Sequence, residues 1–204
     1  MNYLIVLIVT FFAGMGAGLG TGFAGMSAAA VISPMLIAFL GIEPYTAVGI
    51  ALASDVLASA VSAYTYHKNK NLDVKNGLLM MSMVLVFTVI GSYVSSIVPA
   101  QTMGGFSMFM TLLLGIKFIV KPVMTTKQAM ESVSKKRRIF GSLISGMIIG
   151  FICGFIGAGG GMMMLLILTT VLGYELKTAV GTSVFIMSFT ALTGAVSHFS
   201  LGDA

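Results

Sequence analysis

From Met1 to Ile42 no residue carries a charge. That stretch constrains the whole fold, because about 20 consecutive apolar residues already fill a bilayer core about 30 Å thick. The rest of the chain continues in kind. Of its 204 residues, 57% are hydrophobic and only 8% are charged, where a soluble domain carries roughly 25%. Backbone groups in hydrocarbon must all be satisfied internally, so the apolar runs read as helices. The expected fold is an all-α, polytopic integral membrane protein.

Apolar runs fall at about residues 3–24, 28–40, 45–66, 77–98, 104–120, 139–157, 162–172 and 178–199. Two are short. The run 28–40, at 1.5 Å per residue, reaches about 20 Å, so it and its counterpart 162–172 either dip into the membrane and return or span it by thinning. The first run lacks the basic flank of a cleaved secretory signal and recurs in kind at residues 139–157, which marks it as a retained segment.

Basic residues gather in two connections. Residues 67–75 (HKNKNLDVK) hold Lys68, Lys70 and Lys75, and residues 117–138 hold Lys117, Lys121, Lys127 and the run Lys135, Lys136, Arg137, Arg138. By the positive-inside rule both lie in the cytoplasm, with the uncharged link 99–103 outside. The net charge of +5 is therefore an orientation signal and makes no face for nucleic acid. The single cysteine, Cys153, excludes an internal disulfide and a multi-cysteine metal site. With no CxxC, HExxH or P-loop, nothing implies a metal, a cofactor or ATP hydrolysis. Nothing supplies a nucleophile–base pair either, so no catalytic residue is expected and the chain does not read as an enzyme.

The chain also repeats itself. A slide of 132 positions without a gap lays Gly14, Gly18, Gly22 and Gly25 on Gly146, Gly150, Gly154 and Gly157. It lays Leu40, Gly41 and Glu43 on Leu172, Gly173 and Glu175, and the word TAVG at Thr46 on the same word at Thr178. Apolar composition alone does not align glycines, a glutamate and a four-residue word in one register. The organisation is thus a first membrane repeat at 1–122, a basic cytoplasmic loop at 123–138 and a second repeat at 139–204. Counterparts of the runs 77–98 and 104–120 would begin near position 209, so the second repeat reads as incomplete. Duplicated transporters use parallel or inverted halves, with broken helices common in the inverted kind; inversion is the expectation here.

These motifs resemble the sulfite exporter TauE/SafE family of membrane permeases. The likeness rests on Gly150, Gly154, Gly157, Gly159, Gly160 and Gly161 in GFICGFIGAGGG, on Gly173–Tyr174–Glu175, and on AVGTS from Ala179 to Ser183. The first copy is weaker, with GFAGMSAAA for the triple glycine and Ile50–Ala51 for Thr182–Ser183. Such a resemblance implies a secondary permease in the cell membrane that moves small anions such as sulfite, thiosulfate or organosulfonates. Its partners would be the anion and the lipid bilayer, with a homodimer left open. The competing reading is a non-transporting or partner-dependent subunit of the same fold.

Candidate site residues follow from the two glycine stretches. A helix broken at Gly157, Gly159, Gly160 and Gly161, and in the other half at Gly25, Met26 and Ser27, would offer backbone N–H groups and the positive end of the next helix to an anion. The four-spaced glycines Gly14/Gly18/Gly22 and Gly146/Gly150/Gly154 read instead as close helix packing, whereas no packing seam accounts for the triple glycine. Thr182 and Ser183 would add hydroxyls to the substrate site. Asp55 lies well inside an apolar run, near Ser54 and Ser59, which makes it a candidate for coupling to protons. Thr46 and Thr178 are expected to cap helices. Glu43 and Glu175 would close the turns before them. Cys153 and the methionine clusters read as packing.

Overall fold

The computed structural model describes residues 3–98, 112, 116, 119, 120, 134–156 and 160–201. Seven helices are described: α1 (Tyr3–Ala24), α2 (Ala29–Leu40), α3 (Pro44–Lys68), α4 (Val74–Ser96), α5 (Lys135–Ile156), α6 (Gly160–Thr170) and α7 (Leu176–Leu201). Four of them hold stretches long and apolar enough to cross a membrane: Tyr3–Ala24, Pro44–Lys68, Val74–Ser95 and Leu176–Ser197. The apolar part of α5 and the helices α2 and α6 are shorter. Most of the run expected at 104–120 lies outside the described residues, as do Gly157 and Gly159.

Glycine ends the helices where the sequence breaks them. Gly25 adopts φ 61°, and its N–H donates to the Thr21 carbonyl while that of Met26 donates to Gly20. Only glycine takes that left-handed conformation without steric cost. Gly41 and Gly173, equivalent under the repeat, sit after α2 and α6 with φ of 63° and 68°.

α3 starts with Pro44 in its first turn, where a missing N–H costs nothing. Its cap is Glu43, whose carboxylate accepts from the N–H of Tyr45 (3.0 Å) and of Thr46 (2.8 Å). This corrects the expectation for Thr46, which lies inside the first turn and donates its hydroxyl to Glu43. Partial burial pushes the Glu43 carboxyl up, but these three hydrogen bonds outweigh it and hold the group below the usual range.

The two halves interlock. α3 packs on α7 and α4 on α5. A Cβ on Gly181 would meet Tyr66 at 2.8 Å, and one on Gly194 would meet Leu52 at 3.2 Å, so α3 and α7 run antiparallel. The 132-residue slide pairs α3 with α7, and antiparallel packing of such a pair is compatible with inverted halves. Along the α4–α5 seam Gly146, Gly150 and Gly154 face the carbonyls of Met80, Val84 and Thr88, so these helices run parallel. The four-residue glycine spacing of α5 is thus a packing face. On α1, a Cβ at the equivalent Gly14, Gly18 or Gly22 would meet no neighbouring atom within 4 Å among the described residues.

Hydrogen bonds also join the halves. The Tyr174 hydroxyl donates to Asp73 (2.8 Å), and the Asp73 N–H donates to the Thr182 hydroxyl (3.1 Å). The core has two parts. One, around α1–α3, is rich in small residues such as Ala13, Ala17, Ala28, Ala29, Ala47 and Ala51. The other, around α4–α7, holds larger ones, among them Met80, Ile149, Met164, Leu168, Tyr174 and Ile186.

Candidate functional site

Asp55 lies near the middle of α3 with 2% of its surface exposed. A carboxylate this deep needs partners, and it has them. The Ser27 hydroxyl donates to one oxygen (2.6 Å) and the Ser59 hydroxyl to the other (3.0 Å). The Ala28 N–H donates as well. Ser27 sits in the break between α1 and α2, and its Oγ also accepts from the Ala29 N–H (3.3 Å). The carboxylate of Asp55 therefore stands at the N-terminal end of α2, where N–H groups lack partners within the helix and the dipole is positive. Ser54, expected beside it, turns away and donates to the Ile50 carbonyl of its own helix.

The second break lies against the first. At Gly161 a Cβ would run into the Gly25 carbonyl and Met187 Sδ and would stand 2.8 Å from the Ser27 nitrogen. At Gly160 it would run into Cys153 Sγ. This corrects the view that no packing seam needs these glycines: the close approach of one break to the other requires Gly161, and the approach of α6 to Cys153 of α5 requires Gly160. Between the breaks is a cavity of about 20 Å³, lined among others by Ser27, Asp55, Cys153, Gly160, Gly161 and Met187. That volume fits one water, so a multi-atom ligand enters only if lining side chains move.

The other candidate residues lie elsewhere. Gly25 ends α1, and a Cβ there would also meet Ser183 Oγ at 2.6 Å. Met26 packs back over Gly20. Thr182 accepts from the Asp73 N–H, and Ser183 donates to the Val180 carbonyl (2.8 Å), so neither hydroxyl lines the cavity. Met187 and Cys153 do line it, although neither residue type signals a polar site. The 132-residue slide identifies Met187, because it is the position equivalent to Asp55. Among the described residues no three His, Cys, Asp or Glu side chains gather as metal ligands would.

Known proteins share this chain's pattern. A family described as "Sulfite exporter TauE/SafE" matches residues 10–204. The "Probable membrane transporter protein YunE" of Bacillus subtilis (strain 168) is 26% identical over 99% of this chain and 80% of its own length. YdhB of the same organism, also named a probable membrane transporter, is 23% identical over 98% of this chain and 80% of its own. MJ0441 of Methanocaldococcus jannaschii, named likewise, is 25% identical over 98% and 74%. No solved structure matches. The family match takes in both helix breaks and Asp55, and the chain belongs to the sulfite exporter TauE/SafE family, multi-pass membrane transporters rather than enzymes.

Proposed function

We propose that this chain is a secondary transporter of small sulfur oxyanions and organosulfonates, coupled to protons through Asp55. The observation that carries the reading is the meeting of both helix breaks at one cavity with a buried carboxylate. The N-terminal end of α2 already has a carboxyl group, that of Asp55, in hydrogen-bonding reach. The end of α6 has Gly160 and Gly161 with Met187 and Cys153 against them. Sulfite, with several acceptor oxygens, suits backbone donors at such an end, which carries about half a positive charge.

A second negative charge about 5 Å from an ionised Asp55 costs about 3 kcal/mol at an effective dielectric of about 20. Loading with Asp55 protonated removes that cost, so proton and anion travel together. The Ser27 and Ser59 hydroxyls can turn from donating to accepting and so satisfy either form. Halves inverted about this site would supply alternating access, and flexible Met187 is the side chain best suited to swing clear. A partner-dependent reading is favoured by one feature, the glycine face of α1, which meets no neighbour among the described residues.

The test is uptake of labelled sulfite, thiosulfate and sulfoacetate into liposomes holding the protein, with and without a pH gradient. Saturable uptake of one of them, faster with an inward proton gradient, is expected. No flux for all three, beside a working control transporter, overturns transport by this chain alone.

A further inference from the structure

The first helix break lies over the start of α7. A Cβ at Gly25 would stand 2.6 Å from Ser183 Oγ and 3.5 Å from Val180 Cγ1, and the Gly25 carbonyl lies against Gly161. Val180, Ser183 and Met187 follow one another at helical spacing along one face of α7. That face runs from the cavity, which Met187 lines, toward the end of the molecule that holds the loop between α3 and α4. Two devices hold this end shut. Within the first half, the Tyr66 hydroxyl donates to the Gly22 carbonyl (3.0 Å) and pins α1 to α3. Across the halves, the Asp73 carboxylate accepts from the Tyr174 hydroxyl (2.8 Å), and the Asp73 N–H donates to the Thr182 hydroxyl (3.1 Å). Asn76 fixes the same carboxylate through its side-chain amide (2.6 Å) and its backbone N–H (3.2 Å). A Cβ at Gly181 would run into the Asn71 carbonyl, so the loop rests directly on α7.

We infer that Asp73, Tyr174 and Thr182 form the gate of this transporter on the face that carries Lys68, Lys70 and Lys75. Passage from the cavity to that face requires Val180 and Ser183 to part from Gly25. The start of α7 leaves the first half only when both bonds to Asp73 break. Under the 132-residue slide Ile42 stands for Tyr174 and Ile50 for Thr182, and neither side chain can donate or accept a hydrogen bond. The latch is therefore not repeated by these two positions at the opposite face. Each bond to Asp73 biases the exchange of states toward the one closed at the lysine-bearing face, which the positive-inside rule places in the cytoplasm. The inference rests on the alternating access proposed above, and on neither the anion nor the coupling ion.

Cys153 is the single cysteine and lines the cavity, so it reports access from each face. At about 20 Å³ the cavity is too small for a methanethiosulfonate reagent, which reaches the thiol only when one face opens. The membrane-impermeant sulfonatoethyl methanethiosulfonate is added to one face of oriented vesicles at a time. Labelling of Lys70→Cys in a Cys153→Ser chain identifies the lysine-bearing face. Tyr174→Phe and Thr182→Val each remove one bond and keep the side-chain shape. Each should speed labelling from that face about fivefold, the worth of one net hydrogen bond, while labelling from the opposite face does not rise. Thr182→Ser keeps the acceptor and should label at the parent rate. No substrate is present, so the result stands apart from any measured flux. Rates equal to the parent's in both variants overturn the inference. Faster labelling from both faces means that the bonds only stiffen the fold, and overturns it too.

Discussion

The two helix breaks share a backbone device and differ in what fills it. In the first half Ala28 and Ala29 open the short helix, and Asp55 reaches its end with Ser27 and Ser59 around it. The second half has Gly160 and Gly161 at the equivalent positions, with Gly159, Met187 and Ala191 in place of Ser27, Asp55 and Ser59. One helix end therefore has its own carboxyl group, and the other faces a thioether and a thiol. Under the proposed function the second copy is left for the substrate.

The largest effect should come from making the second break resemble the first. Gly161→Ala introduces the residue found at Ala29, yet its Cβ would strike the Gly25 carbonyl, a backbone atom that cannot swing aside. Overpacking of this kind costs about 1–3 kcal/mol, and displacement of one break from the other should abolish uptake. The reciprocal change, Ala29→Gly, should cost about 1 kcal/mol of helix propensity at most and leave uptake measurable. Normal flux and thermal stability in Gly161→Ala would show that the breaks do not depend on this contact.

Next in size is a swap of the fillings. Met187→Asp sets a carboxylate at the end of α6, in the role Asp55 has at α2. It should compete with the anion there and raise the half-saturating sulfite concentration at least tenfold, or about 1.4 kcal/mol. An unchanged or tighter site would mean that the anion binds elsewhere. Asp55→Asn keeps an acceptor for one serine, so its stability cost should stay near 1–2 kcal/mol, but it cannot carry a proton. Uptake by this variant should lose its dependence on pH. A pH profile like that of the parent would leave Asp55 a structural role only.

Much of this comparison is legible from residue order, and its limits have physical causes. Helix positions follow from apolar length, and the breaks from Gly25 and Gly41, because a left-handed residue is a local requirement. Equivalence of the halves follows from the 132-residue slide. Contact across the chain is not legible in that way. Ser27 meets Asp55 over 28 residues, and nothing local marks it above Ser54, which a helix turns toward its own backbone. Thr182 looks like a ligand because it is polar within an apolar run, yet the fold spends its hydroxyl on the Asp73 N–H. The glycines Gly14/Gly18/Gly22 and Gly146/Gly150/Gly154 have the same spacing, and only packing shows that the second row is covered by α4 while the first meets no neighbour among the described residues.

The smallest predicted effect concerns the turns that precede α3 and α7. In the second half Tyr174 ties its turn to Asp73 across the repeat. Ile42 stands at the equivalent position in the first half and cannot make such a bond, so that turn rests on the Glu43 cap. Glu43 is held below its ordinary range, with slight burial outweighed by the Tyr45 and Thr46 hydrogen bonds. A depressed carboxyl stabilises the fold fully above its unfolded pKa of about 4.3 and loses that contribution as pH falls through the lower, folded value. The side chain is exposed, so solvent screens much of the charge, and Glu43→Ala should cost only about 1 kcal/mol, as other cap deletions do. Thermal unfolding followed from neutral to acid pH should show a shallower loss for this variant than for the parent. Equal slopes would place the acid sensitivity in another carboxylate, and the cap would then hold the first turn by geometry rather than by charge.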